Sequence, residues 1–450
     1  MSVDDRAGAA SRAHGLPDVV DDAVCLGCGC TCDDIRLRVQ DDRIVAAEKA
    51  CSLGVAWFGT GLVPARALEN GVVCTPQQAV ETMARILTGA SSPLVYMAPD
   101  VTCETQRQAV AIADLLHATL DSVTSATSLA SILAAQQRGR AGATLGEIRN
   151  RADLVVFWGV DPAVRYPRFQ ERYAPAPAGV HVPEGRRSRT VIAVDVGEQR
   201  GPSDADVRLA VAPGEEVATL VRLTAALTST GTPDSTAPPS GTLEALAFRL
   251  RSGRYVVVVA DAEAPEGEQR VERQRADALV ALSLALNAAT RGALSLLRSG
   301  GNRSGADAVA TWQTGFPLGI DFARGYPRYS PWSGSAVSRI SRGEIDAMLI
   351  VGNIAALPAA LQSTSSRMAT CVIGPHASES DFSRGATVVD TGLPGLHSGG
   401  TVLRMDDVPL PVRAIFRGAI DAEVITRALC ERIVAVQRDA RLEHRPRVGR

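Results

Sequence analysis

The sequence is poor in lysine, in aromatic side chains and in long apolar runs. Lys49 is the single lysine among 47 Lys and Arg residues, the formal net charge is −2, and only the Arg-rich end at 441–450 concentrates positive charge. Nucleic acid is therefore excluded as a partner, because phosphate binding needs a clustered positive surface. No apolar run approaches the roughly 20 residues that a membrane-spanning helix needs, and the first 23 residues contain no apolar signal-peptide core. We expect a cytoplasmic protein that does not bind membranes.

The length and the apolar content predict more than one domain. The chain has 450 residues, of which 46% are apolar, which is enough for two to four lobes at roughly 100–200 residues per domain. Beyond Thr75, short apolar segments such as YVVVVAD (255–261) alternate with helical patterns such as ADALVALSLALNAAT (276–290). Strands that are buried on both faces and alternate with helices are typical of parallel sheets with crossover helices.

We therefore predict an α/β fold in which a small N-terminal cysteine-rich β-hairpin lobe precedes two Rossmann-like parallel-sheet lobes. The hairpin is predicted from IRLRV and IVAAE, which alternate apolar and polar residues on either side of a polar turn. The predicted segments are a disordered N-terminus at 1–23, the cysteine-rich lobe at 24–62, an α/β lobe built from 63–120 and 336–430, a second α/β lobe at 121–335 with a linker at 228–241, and a basic tail at 431–450.

Four cysteines near the N-terminus have a spacing typical of metal ligands. Cys25, Cys28, Cys32 and Cys51 form C-x2-C-x3-C-x18-C, and no histidine follows within sixty residues. Three close thiolates and one remote thiolate are typical of a [4Fe–4S] cluster, whereas structural zinc usually takes paired C-x2-C or Cys–His sets. The residues leave an iron–sulfur site, a zinc site and thiols without a metal as alternatives. Cys30 competes with Cys32 for the role of third ligand.

Three further stretches carry patterns of a known family. VVFWGVDPAVRYPRFQERYA (155–174) has a strand followed by W-G-x-[ND]-P, GADAVATWQTGFPLGIDFARGYPRYSP (305–331) has TWQTG and RGYPRY, and GGTVLRMDDVPLPV (399–412) has Arg-Met-Asp. With the cysteine motif, they make the chain resemble the B-type subunits of formylmethanofuran dehydrogenases, in the molybdopterin oxidoreductase superfamily. The resemblance implies one [4Fe–4S] cluster and a tungsten or molybdenum ion on two pyranopterin guanine dinucleotides, which together interconvert CO2 and formate.

The chain departs from this family at the position of the metal-ligating cysteine. The family has a stretch like D-N-T-A-S-x-C-H-G there, and the matching DSVTSATSLASIL (121–133) puts Thr127 at the Cys position and Ser128 at the His position. A Thr hydroxyl is neutral at pH 7 and does not replace a soft thiolate on tungsten or molybdenum. We therefore predict no catalytic residue at this position and no tungsten or molybdenum bis-pterin cofactor. A second departure is Leu53, where many superfamily members have Lys or Arg.

The loop after the predicted strand at 155–158 is the place where active relatives bind a pterin guanine. The resemblance thus identifies Trp158, Gly159, Asp161 and Pro162 as a vestigial pterin loop. The alternative is a purely structural turn between a strand and a helix.

The lost cysteine favours a non-redox function. The chain is similar to the B-type component of the formyltransferase/hydrolase complex of methylotrophic bacteria, which the resemblance implies is a scaffold without an oxidoreductase centre. We expect a non-catalytic subunit of a complex that releases formate from formyl-tetrahydromethanopterin via formylmethanofuran, with hydrolase A-like, C-like and formyltransferase D-like subunits as partners. The alternative is a catalytic tungsten- or molybdenum-pterin subunit of formylmethanofuran dehydrogenase.

Overall fold

The computed structural model describes residues 18–228, 242–263, 269–363 and 368–443. The strands are β1 (Val19–Ala23), β2 (Ile35–Gln40), β3 (Arg43–Glu48), β4 (Ala67–Glu69), β5 (Val72–Cys74), β6 (Pro93–Met97), β7 (Thr119–Ser122), β8 (Leu154–Trp158), β9 (Thr190–Val196), β10 (Val207–Val211), β11 (Tyr255–Asp261), β12 (Arg291–Leu297), β13 (Ile320–Asp321), β14 (Arg328–Tyr329), β15 (Ala347–Val351), β16 (Ala369–Gly374), β17 (Thr387–Asp390), β18 (Gly400–Leu403) and β19 (Pro409–Val412). The α-helices are α1 (Ser52–Phe58), α2 (Pro76–Gly89), α3 (Cys103–Leu115), α4 (Thr124–Thr127), α5 (Leu129–Arg138), α6 (Leu145–Arg151), α7 (Pro162–Arg165), α8 (Phe169–Arg172), α9 (Glu216–Thr228), α10 (Leu243–Ser252), α11 (Gln269–Ala289), α12 (Arg303–Thr314), α13 (Ala336–Ser341), α14 (Ala359–Gln362) and α15 (Ala422–Glu443).

The N-terminal lobe is a three-stranded antiparallel sheet in the order β1-β2-β3. Strand β2 buries Ile35, Leu37 and Val39 and exposes the residues between them, which is the period-two pattern of a half-buried strand. The predicted hairpin is confirmed as β2 and β3. The prediction of disorder is wrong for Val19–Ala23, because these residues pair with β2; residues 1–17 lie outside the described residues.

The larger lobe is a nine-stranded sheet in the order β14-β13-β7-β6-β15-β16-β17-β4-β5. Its central strands β7, β6, β15, β16 and β17 are parallel, and antiparallel strands close both edges. The chain order reverses between β6 and β15. The carboxyl ends of these two neighbours therefore form the switch point at which open α/β sheets place ligands.

The second lobe is a five-stranded, all-parallel sheet in the order β10-β9-β8-β11-β12. Its inner strands are fully buried Val-rich runs, as parallel strands covered on both faces require. The chain order reverses here between β8 and β11, which gives a second switch point. The predicted α/β class with two parallel-sheet lobes is confirmed.

Two predicted boundaries differ from the structure, and a third lies almost wholly outside the described residues. The β13–β14 hairpin falls within the predicted second lobe at 121–335 but joins the nine-stranded sheet, because Ile320 pairs with Leu120. Helix α12 falls there too but packs in the core of the larger sheet, and β7 spans the predicted boundary at 120 and 121. The predicted tail at 431–450 is helix as far as Glu443, because its apolar positions continue the buried side of α15. The predicted linker at 228–241 lies outside the described residues except for Thr228, which ends α9.

Helices α2, α3 and α15 cover one face of the larger sheet. Helix α2 begins with a capping box in which Thr75 and Gln78 satisfy each other's backbone N–H groups. Leu429 and Ile433 of α15 are fully buried in the same apolar cluster as Met83 and Leu87 of α2. Among the described helices, none combines the length and the apolar character needed to cross a membrane.

Candidate functional site

The cysteine loop between β1 and β2 is compact and buried. Its ends are joined by a hydrogen bond from the Cys25 N–H to the Cys32 carbonyl at 2.8 Å, and the Thr31 N–H donates to the Cys28 carbonyl at 3.2 Å. Cys25, Cys28, Cys30 and Cys32 are each at most 8% exposed. The Gly27 N–H lies 3.4 Å from the Cys25 Sγ and donates to it. A backbone donor aimed at sulfur stabilises a thiolate, as at iron–sulfur sites.

Glycine lets this loop pack directly against the segment that follows β12. A Cβ on Gly29 would lie 2.0 Å from the Arg298 carbonyl oxygen, and one on Gly300 would lie 2.0 Å from the Leu26 carbonyl oxygen. The Gly301 N–H donates to the Leu26 carbonyl at 3.0 Å. The cysteine loop is therefore held against the carboxyl end of the five-stranded sheet.

Helix α1 brings the fourth cysteine back to the loop. Cys51 immediately precedes α1, and a Cβ on Gly54 would lie 3.3 Å from the Cys25 Sγ and 4.0 Å from the Cys51 Sγ. The β2–β3 hairpin thus returns Cys51 to the side of Cys25, as the sequence predicted.

Burial and two nearby arginines shift the pKa values of the thiols. Burial raises the pKa of Cys25 well above its usual range and that of Cys32 to about 11, while Arg172 and Arg168 act in the opposite direction on Cys32. A hydrogen bond from Cys30 lowers the pKa of Cys28. Metal binding at these cysteines would have to release their protons, because thiolate is the ligand form.

The described residues contain no group of three or more His, Cys, Asp or Glu side chains arranged to hold one metal ion. Iron–sulfur clusters are held by Cys thiolates, and Cys25, Cys28, Cys32 and Cys51 would supply four of them. Whether they hold a cluster or zinc stays a prediction. Which of Cys30 and Cys32 would be the third ligand stays a prediction.

Thr127 and Ser128 lie at the carboxyl end of β7, where the short helix α4 passes into α5. The Thr127 hydroxyl donates to the Val123 carbonyl at 3.3 Å and lies 3.4 Å from the Ser128 hydroxyl. A hydroxyl satisfied by its own helix offers no soft donor to a metal. The residues present at this position do not fit a tungsten or molybdenum ion.

A buried ion pair lies close to this turn. The Arg298 Nη2 donates to the Asp307 Oδ2 at 2.7 Å, the Thr124 hydroxyl donates to the Asp307 Oδ1 at 2.6 Å, and the Ser122 and Thr124 hydroxyls are 2.6 Å apart. Burial raises the pKa of Asp307, and Arg298 opposes that shift. Sequence reasoning missed this network, because Thr124 and Asp307 are 183 residues apart along the chain.

Four buried polar atoms near the inner ends of both sheets have no hydrogen-bond partner among the described residues. They are Tyr96 Oη, Tyr166 Oη, Arg298 Nε and Arg303 Nε. Buried polar groups are nearly always paired.

The structure divides the predicted pterin loop into core and pocket residues. Trp158 is fully buried, and its Nε1 donates to the Glu216 Oε1 at 2.9 Å, so this side chain belongs to the core. Pro162 begins α7, and Asp161 caps that helix by accepting from the Ala163 N–H at 2.9 Å.

Gly159 and Asp161 also line a pocket of about 690 Å³ at the carboxyl ends of β8 and β11. Gly159 has a positive φ of 59°, which lets the chain turn sharply out of the strand. Arg165 reaches across the pocket to Asp261 and, at 3.3 Å, to Glu263. The pocket lies at the switch point of a Rossmann-like sheet, where such folds bind nucleotides.

Two sheets of mainly parallel strands, with a buried cysteine loop held against the carboxyl end of the smaller sheet, thus define an α/β protein with a candidate ligand site. No protein-family model matches the chain. It is 31% identical over 452 residues, covering 92% of this chain and 98% of the relative, to the B subunit of tungsten-containing formylmethanofuran dehydrogenase 2 from Methanocaldococcus jannaschii. It is 29% identical over 427 residues to the protein of the same name from Methanococcus maripaludis, with 91% and 97% coverage.

The fold is also similar to a solved structure. A chain in the crystal structure of the formyltransferase/hydrolase complex (FhcABCD) from Methylorubrum extorquens, in complex with methylofuran, matches with a TM-score of 0.68. The match has 22% identity and covers 82% of this chain and 99% of that chain. Given the 31% identity over nearly its whole length, the chain belongs to the family of formylmethanofuran dehydrogenase B subunits.

Proposed function

We propose that this chain is a non-redox structural subunit of a cytoplasmic formyltransferase/hydrolase complex. That complex releases formate from formyl-tetrahydromethanopterin via formylmethanofuran. The partners are hydrolase A-like, C-like and formyltransferase D-like subunits. Support comes from membership of the B-subunit family and from the likeness in fold to a chain of the FhcABCD complex.

Thr127 carries the proposal. The sequence aligns it with the metal-ligating Cys of the family, and its hydroxyl is used by the backbone of its own helix. Neutral oxygen does not replace thiolate on a soft metal. Without that ligand, the chain lacks the residue that joins a tungsten or molybdenum ion to the protein.

The cysteine loop has a structural role in this proposal. Cys25, Cys28, Cys32 and Cys51 would hold a [4Fe–4S] cluster, which supplies one-electron transfer when a redox partner is present. The chain's own residues exclude water from the loop, direct the Gly27 N–H at the Cys25 Sγ and place Arg168 and Arg172 near Cys32. A bound cluster would cross-link β1, the β2–β3 hairpin and α1.

The alternative is a catalytic subunit of formylmethanofuran dehydrogenase, with tungsten or molybdenum on pyranopterins. Two observations favour it: the retained cysteine loop and the 690 Å³ pocket at Gly159 and Asp161. It requires a metal ligand other than residue 127.

The test is to purify the chain with its three partner subunits and to measure iron, tungsten, molybdenum and pterin per chain. We expect about four iron atoms, no stoichiometric tungsten or molybdenum, and no formate-dependent dye reduction. Cys51→Ser should lose the iron, whereas Cys74→Ser, a partly buried thiol remote from the loop, should keep it. Stoichiometric tungsten or molybdenum with dye reduction would refute the structural role and establish the alternative.

A further inference from the structure

The short helix α8 and the residues on either side of it pack against the cysteine loop. The Tyr173 hydroxyl donates to the Cys30 carbonyl at 3.3 Å. Arg168 immediately precedes α8 and Arg172 is its last residue, and their side chains are only 11% and 17% exposed. Two cations that are largely removed from water therefore lie beside a loop whose four cysteines are also buried.

Asp34 holds both of these arginines in place. Its two carboxylate oxygens accept from the Arg168 Nη1 at 2.7 Å and the Arg168 Nη2 at 2.8 Å, and one of them also accepts from the Arg172 Nη1. Asp33 accepts from the Arg172 Nη2 at 2.6 Å. The end of the cysteine loop thus has two arginine partners, and one of them would remain if Arg168 were replaced.

Arg168 has more N–H donors than its carboxylate partners use. A guanidinium carries five N–H groups in a fixed fork. Two of them bond Asp34 and the Nε–H bonds Glu171, so two remain, and they are largely shielded from water. Burial acts to lower the pKa of Arg168, but its hydrogen bonds to Glu171 and to the Cys32 thiol, with their charges, outweigh burial and raise it. The Cys32 sulfur is therefore within reach of a free N–H donor.

Metal binding at the cysteine loop would increase the need for such donors. Thiolate is the form that ligates a metal, so the four predicted ligands would place four negative sulfurs in a buried loop. Buried charges are costly unless they are paired or hydrogen-bonded. The Gly27 N–H supplies one donor, to the Cys25 Sγ at 3.4 Å. Arg168 is in a position to supply another, to Cys32.

The contribution of Arg168 is a directed donor, because carboxylates surround it. Asp34 and Glu171 pair with Arg168, and Asp33 pairs with Arg172. These pairs leave little net positive charge beside the loop. Any effect of Arg168 on the neighbouring thiolate therefore depends on where its N–H groups point.

We propose that Arg168 is a positioning residue of the metal site: held by its two carboxylate partners, it directs an N–H group at the Cys32 sulfur and raises the reduction potential of a bound [4Fe–4S] cluster. The inference rests on the proposed function, because it takes the cluster from there. Hydrogen bonds to the sulfurs are among the factors that set the potentials of iron–sulfur clusters. Such a bond favours the reduced state, which carries one more negative charge, and therefore raises the potential.

The experiment purifies the complex of this chain with its three partner subunits. It measures the iron content and, by electron paramagnetic resonance, the fraction of reduced cluster at a series of applied potentials. Arg168→Gln should keep its iron, because Asp34 retains its bond from Arg172. At a given potential its ratio of oxidised to reduced cluster should rise at least about tenfold, which is a shift of about 59 mV for one electron.

The control is Arg186→Gln, which should keep the wild-type potential. It breaks a comparable pair, in which Arg186 donates to both oxygens of Asp206 at 2.9 and 3.0 Å, beside the start of β9 and thus at the amino end of the five-stranded sheet. If Arg168→Gln loses its iron, Arg168→Lys is measured in its place. Lysine keeps the charge but lacks the fork that fixes the donor, so this potential should also lie below that of the wild type.

The iron content separates the ways in which the inference can fail. A wild-type potential in a position-168 variant that keeps its iron would overturn the role of Arg168 and leave the proposed function standing. Loss of iron from both variants, but not from Arg186→Gln, would overturn it too, because Arg168 would then be needed to hold the loop together. Zinc in place of iron, or no metal, in the wild-type chain would overturn the cluster of the proposed function and this inference with it.

Discussion

At the residue scale, the region around Thr127 depends on one buried charge pair. Arg298 and Asp307 have side chains 11% and 13% exposed, and Asp307 also accepts from Thr124. Burying two charges is costly, but leaving one of them without its partner costs more. The stability of the turn at β7 therefore depends on both members being present.

Asp307→Asn should destabilise the chain by about 3–5 kcal/mol, because it leaves the Arg298 guanidinium buried without its counter-charge. The measurement is the shift of the thermal or urea midpoint. Asp21→Asn, which breaks the exposed pair with Arg36, is the matched control and should leave the midpoint unchanged.

A second variant separates charge from packing. The double variant Arg298→Met with Asp307→Leu removes both charges and should recover much of the loss, since well-packed apolar residues often replace a buried pair without cost. An Asp307→Asn midpoint equal to that of the wild type would contradict the importance of the pair.

At the scale of elements, the sequence predicted more of the fold than of the site. The Val-rich strand β11 and the alternating strand β2 were predictable because their burial repeats within a few residues. The position of β13 and β14 in the sheet was not predictable from the sequence. Each strand has only two residues, and Ile320 of β13 pairs with Leu120, which lies 200 residues earlier in the chain. The four cysteines were predictable from spacing alone, whereas the Arg298–Asp307 pair and the core position of Trp158 depend on tertiary contacts.

The close approach of the cysteine loop to the segment after β12 gives a second prediction. Gly29→Ala would place a Cβ 2.0 Å from the Arg298 carbonyl oxygen, and a backbone atom cannot move aside as a flexible side chain can. We expect the cysteine lobe to lose its docked position. Because Lys49 is the only lysine, cleavage by a lysine-specific protease reports on this lobe alone.

The rate of cleavage after Lys49 should rise at least about tenfold in Gly29→Ala, because docking no longer restrains local opening. Gly89→Ala is the control, since a Cβ there meets nothing within 4 Å at the end of α2. Equal cleavage rates in both variants would show that the close approach is not required for docking.

At the scale of the whole molecule, the cysteine lobe is attached to the rest of the chain at opposite ends. Asp34, at the end of the cysteine loop, accepts two hydrogen bonds from Arg168 at 2.7 and 2.8 Å. Gly61, at the end of the lobe, accepts from the His397 Nε2 at 2.9 Å, and the His397 Nδ1 accepts from the Leu393 N–H at 3.1 Å. These two bonds require the neutral imidazole with its proton on Nε2.

The His397 attachment makes the stability of the chain dependent on pH. Burial lowers the pKa of His397 below its usual value, so the unfolded chain binds more protons than the folded chain between the two pKa values. Stability should therefore be full above the unfolded pKa of about 6.5 and should be lost as the pH falls from there through the folded pKa.

His397→Gln cannot titrate, so its melting temperature should be lower than that of the wild type at mildly alkaline pH and the two should converge on acidification. His181→Gln, at an exposed position that does not act on His397, should follow the wild-type profile. Parallel pH profiles of wild type and His397→Gln would show that this histidine does not couple the cysteine lobe to pH.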